Sequence, residues 1–165
     1  MKNLINALMV LTAAFTLTST ALADNVPQNL KVEIYALKIT TDTHVKQMKI
    51  VAGLTSQYKA DLDAAGFFSK NSVKNRYCKI VNATVATSFL IFAEGLKKLS
   101  PAGRDYLESI NQQSGGALER SLHAIVPNGK TIMAYCHDPA VLYNAAQLAV
   151  NNAQVAVDLI PGYSL

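Results

Sequence analysis

From Leu30 onward, apolar residues recur at steps of three and four, and this spacing holds almost to the end of the chain. Such a period predicts α-helix throughout. The first segment, about Leu30 to Ala65, sets Leu30, Ile34, Leu37, Thr41, Val45, Met48, Ala52, Thr55, Tyr58 and Leu62 on one stripe. Its start reads two ways, because Leu30, Val32 and Ile34 also alternate as a strand would. The polar run Thr40 to His44 is a candidate kink, and Gly66 a candidate C-terminal cap.

A second segment runs from about Ser72 to Leu99. No charge occurs between Asn82 and Ala93, and the middle is apolar around most of its circumference. That pattern predicts a helix covered on all sides, the central element of the fold. Its uncharged middle is too short to span a bilayer. Ser100 and Pro101 then give a helix start. Tyr106, Ile110, Ala117, Ser121 and Ile125 form the third stripe, weakened at Ser114-Gly115-Gly116, where a kink or a close backbone approach is expected. Val126 to Lys130, "VPNGK", reads as a turn, and residues 130–135 as a short extended piece. Asp138 and Pro139 repeat the start signal for a last helix reaching about Ile160. In it Val141, Leu148 and Val155 repeat every seventh position, as do Ala145, Asn152 and Leu159, giving a thin, alanine-rich seam.

The fold expected is all-α: an up-down bundle of about four helices. Its two cysteines test the arrangement. Cys78 lies near the start of the second segment and Cys136 just before the last. Two antiparallel rods of roughly 30 Å return Cys136 to the level of Cys78. A Cys78–Cys136 disulfide across so long a loop stabilises by roughly 4 kcal/mol in the chain-entropy model.

The N-terminus supplies an address. Lys2 precedes an uncharged run from Leu4 to Leu17, and Ala21-Leu22-Ala23 offers the small residues that a signal peptidase requires. Residues 1–23 therefore read as a cleaved signal peptide, and 24–165 as one helical domain of an exported bacterial protein, periplasmic or secreted. An oxidising compartment agrees with one disulfide. No transmembrane segment is expected in the mature chain.

Charge changes the picture only locally. Lys and Arg outnumber Asp and Glu 15 to 11, a mild excess. Lys70, Lys74, Arg76 and Lys79 nevertheless crowd the start of the second helix with no acid among them. Helix N-termini favour negative charge, so these cations oppose the dipole. They form a candidate patch for an anionic partner: a lipid headgroup, a cell-wall polymer or an acidic protein face. A solvated helix end is the plain alternative. Base-stacking aromatics do not interleave apart from Tyr77, so nucleic acid is not expected.

Asn144, Gln147, Asn151, Gln154 and Asp158 line one face of the last helix, four of them uncharged amides. Amides donate and accept, which suits a solvated face or a surface covered by a partner or second copy, so a homo-oligomer through this helix is one expectation. A polar cavity lining is a further option.

Catalytic constellations are absent by motif. Cys136, His137 and Asp138 are adjacent in sequence, whereas nucleophilic catalysis needs a base reaching across the fold to a free thiolate. His44, His123 and His137 lack metal-ligand spacing. Asp61 to Gly66 opens like a calcium loop but has Ala65 and Ser72 where ligands are required. No P-loop, dinucleotide fingerprint or nucleophile elbow occurs. Cys136, followed closely by Pro139 and an Ala/Leu/Val helix, loosely resembles small periplasmic immunity proteins of toxin-delivery systems. Those carry further cysteines and tighter Cys-to-Pro spacing, so no residue role is transferred. The leading expectation is an exported, non-catalytic, cofactor-free helical protein binding a macromolecular partner, as an inhibitor, adaptor, immunity or envelope-associated protein. A carrier of a small apolar ligand, with a cavity beside Thr87 to Ala93, is the alternative, and an envelope-acting enzyme the second alternative.

Overall fold

A computed structural model describes residues 26–163, which fold into five helices with no strand among them. The expected signal peptide lies outside the described residues. The helices are α1 (Gln28–Ala64), α2 (Lys70–Lys97), α3 (Pro101–Gln113), α4 (Ala117–Ala134) and α5 (Pro139–Leu159).

Helix α1 continues unbroken through the polar run expected to kink it. Thr40 and Thr41 hydroxyls donate to the Leu37 carbonyl and Thr43 to that of Ile39, while Asp42 pairs with Lys46 one turn on. The polar groups are satisfied within the helix, so nothing forces a break. The chain then leaves extended at Ala65, and Gly66 does not adopt the left-handed cap expected of it: positive φ is confined to Gly115 and Gly116 among the described residues.

Nine of the ten stripe positions on α1 are buried, and Leu62 packs at the core's edge. Its main neighbours are α5 and α2, and α5 is also packed on α4. The central element is thus α1, not the second segment. Helix α2 buries one face, through Val81, Val85, Ser88 and Phe92, and leaves Ile80 and Leu90 exposed. It is also longer than its uncharged middle suggested. With 28 residues and a mean hydropathy of 1.2 over its best window, it is long and apolar enough to cross a membrane by length and composition.

The third segment divides. Gly115 and Gly116, both at positive φ, separate α3 from α4, a conformation that costs glycine little. Asn111 locks this corner by accepting from the Glu119 amide at 3.0 Å and donating to its carboxylate at 3.2 Å. The turn expected at Val126–Lys130 and the extended piece at 130–135 are both helix: α4 runs through Pro127 to Ala134. Thr131 donates its hydroxyl to the Pro127 carbonyl. Gly129 is there for packing, since a Cβ would collide with the Phe89 ring of α2.

In α5 the small residues face inward. Ala145, Ala146, Ala149, Ala153 and Ala156 are buried, whereas Val141, Leu148 and Val155 are exposed. The heptad seam expected from the larger side chains is therefore the outer face. Alanines let α1 and α4 come close, and that gain in contact outweighs burial of three aliphatics. Asp138 caps the start of α5, accepting from the Ala140 and Val141 amides. At its end Lys38 of α1 donates to the Val157 and Ile160 carbonyls at 2.8 and 2.6 Å, satisfying acceptors the helix leaves open.

Ser100 caps α3, accepting from the Gly103 amide, and donates its own amide and hydroxyl to Glu33 on α1. Cys78 and Cys136 form the expected disulfide, with Cα atoms 5.0 Å apart. A disulfide is compatible with an oxidising extracellular compartment.

Candidate functional site

The disulfide end of the bundle carries the most unusual surface. Between α1 and α2, Phe67 and Phe68 form a turn with side chains 86% and 96% exposed, their rings edge-to-face at 5.5 Å. Buried Phe is worth about 1.5–3 kcal/mol over exposed Phe, so two bare rings side by side have an apolar medium to gain. The sequence showed two consecutive phenylalanines after Gly66; periodicity gave no sign that both would face outward.

The base beneath this tip is braced. Asp61, near the end of α1, accepts from Gln57 at 2.7 Å, from the Tyr77 hydroxyl at 2.9 Å and from Arg76. The Gln57 and Tyr77 hydrogen bonds, with the Arg76 charge, hold its carboxyl below the usual range. Tyr77 stacks on Tyr58 at 4.4 Å. Burial, then the bond to Asp61, pushes the Tyr77 hydroxyl up; burial does the same to Tyr58, reinforced by the charge of Asp138. One residue on, Cys78 ties α2 to the corner between α4 and α5. The tip is therefore presented on a fixed support.

The four cations of the candidate patch separate. Lys70 opens α2 right after the aromatic pair, and Lys74 lies one turn on along the same face. Arg76 is drawn to Asp61 and lies over the Tyr77 ring at 5.2 Å. Lys79 is exposed, about 13 Å farther along the axis than Lys70 and on the opposite side by helical phase. Of the three carboxylates nearest this end, Asp61 is taken by Arg76 and Tyr77 and Asp138 by its helix cap, leaving Asp63. The free charge beside the phenylalanines is predominantly positive.

His137 places Nδ1 3.3 Å from the Cys78 sulfur. Cys78, Cys136 and His137 have the proximity of a metal triad, but sulfurs bonded to each other offer no thiolate to a metal or substrate. Of the other histidines, His44 is buried in the core and His123 is exposed on α4, so the three do not converge.

Along α5, Asn144, Asn151 and Asp158 are exposed, while Gln147 and Gln154 are half-buried. Gln154 donates to Asp158 at 2.9 Å. The stripe is not purely amide, because Leu148, 53% exposed, and Val155 stand beside it.

At the opposite end of the molecule a cavity of about 490 Å³ opens between α2, α3 and α4. Phe92, from the segment expected to border a cavity, is one of its walls.

Comparison with protein-family models, curated proteins and solved structures finds no match for this chain.

Proposed function

We propose that this chain is an exported, non-catalytic helical protein that docks reversibly on an anionic phospholipid surface of the cell envelope. The observation carrying this reading is the Phe67–Phe68 pair, nearly fully exposed beside Lys70 and Lys74. The phenylalanines enter the acyl boundary while the lysines meet phosphates. Lysine near an anionic surface contributes about 1 kcal/mol. Two rings and two lysines together give several kcal/mol, enough for reversible association but far short of an anchored helix. The braced base favours binding, because little ordering remains for the tip to undergo.

The test is flotation with vesicles of phosphatidylcholine alone or mixed with phosphatidylglycerol. Wild-type protein should float with the mixed vesicles and release at high salt. Phe67→Ser/Phe68→Ser should abolish flotation, and Lys70→Gln/Lys74→Gln should remove its salt dependence. Absence of flotation, or equal flotation of both variants and wild type, would refute the reading.

A further inference from the structure

The 490 Å³ cavity at the far end falls within the roughly 300–1,000 Å³ range of small-molecule sites. Its floor is Leu107 of α3 with Leu118 and Leu122 of α4, and at its sides Leu96 and Val126 remain 37% and 45% exposed. Leu107 and Leu118 are themselves buried, whereas Leu96 and Val126 are left without cover by the described residues. Helix α3, which forms one wall, touches the remaining helices at fewer places than any other element.

The charged groups at the mouth differ in how they are engaged. Glu119 accepts from Asn111, and Glu108 accepts from Gln112. Arg104 and His123, also at the cavity, make no side-chain hydrogen bond or ion pair with the described residues. Beside the two amide-bonded carboxylates and Asn111, the unengaged donors of the lining are therefore a guanidinium, which is always cationic, and an imidazole. A guanidinium suits a carboxylate or phosphate in a two-point contact.

From this we infer that the cavity between α2, α3 and α4 is a binding site for a single-chain amphiphile with an anionic head. The chain lies against Leu96, Leu122 and Val126, and the head meets Arg104. This site is separate from the Phe67–Phe68 tip and does not depend on it.

Dodecanoate and dodecanol share a tail and differ in the head. Each is titrated calorimetrically into the protein, without vesicles and below micelle formation. Dodecanoate should bind saturably at one site, and dodecanol about tenfold more weakly or worse. Arg104→Gln should weaken dodecanoate about tenfold and leave dodecanol unchanged. Val126→Trp, a change at a partly exposed rim position, should block both. Phe67→Ser/Phe68→Ser should bind dodecanoate like wild type, so failure of membrane docking and failure of this site are read independently. No saturable binding, equal affinity for the two ligands, or an Arg104→Gln effect that is the same on both overturns the inference.

Discussion

Acidification gives a sharp test of how the core is wired. His44 is fully buried on α1, between Phe89 and Phe92 of α2, and its Nδ1 lies 3.1 Å from the Ser88 hydroxyl oxygen. Ser88 already donates its only hydroxyl proton to the Val85 carbonyl. His44 Nδ1 must therefore be the donor in their contact, which fixes the neutral tautomer and leaves Nε2 a bare acceptor with no partner. Protonation at Nε2 would create a buried charge without a counter-ion, and burial lowers the pKa from 6.5 to about 4. Between these values the unfolded chain binds a proton that the native chain refuses, so stability falls as pH drops from 6.5 to about 4 and this loss is complete below it. At about 1.4 kcal/mol per unit, the loss amounts to about 3 kcal/mol. Asp61 and Glu94, held low chiefly by Gln57 and Lys97, contribute a solvent-screened stability that starts to fall only as pH drops through their ordinary values of 3.8 and 4.5, at the acid edge of the His44 window. Urea unfolding followed by circular dichroism across this range should show the slope in wild type and lose it in His44→Leu. Equal slopes in the two proteins would refute the assignment.

Three further outcomes follow from the packing. Replacing both Cys78 and Cys136 with Ser should lower unfolding free energy by about 4 kcal/mol, since the bond closes a 58-residue loop; a loss under about 1 kcal/mol in urea would contradict the staple's role. Gly129→Val should destabilise by about 1–3 kcal/mol through collision with Phe89, and Phe89→Ala should lessen that cost in a double-mutant cycle; additive effects would remove the close approach as the cause. Tyr163→Phe should cost about 1 kcal/mol by breaking its 2.7 Å hydroxyl contact with Tyr106. The Tyr163 hydroxyl, pushed well above the tyrosine range by burial and then by that contact, should resist alkaline difference absorbance until the protein unfolds.

Much of the architecture was readable because α1 writes its stripe in large residues at regular steps, and because two cysteines at matched heights admit one staple. Where the reading failed, packing distance decided against side-chain size. In α5 the alanines, individually the weaker hydrophobic signal, took the interior and turned Leu148 outward. Pro127-Asn128-Gly129 has turn composition, yet its glycine serves a ring from another helix, a relation that adjacent letters do not encode. The phenylalanine tip escaped for a related reason: hydrophobicity marks what gains from cover, and only the folded arrangement tells whether cover exists. The lysines beside it were visible in sequence, but the separation of Arg76 toward Asp61 required the neighbouring helix.

The staple also has a directional consequence. The covalent ring holds α3, α4 and most of α2, whereas α1 and α5, which clasp each other through Lys38, emerge from opposite ends of the sequence. The oily side of the first helix thus waits for the last helix before its shelter is complete. Both cysteines precede Pro139, so the ring's closure does not itself require the last helix, whereas the shelter of that side does.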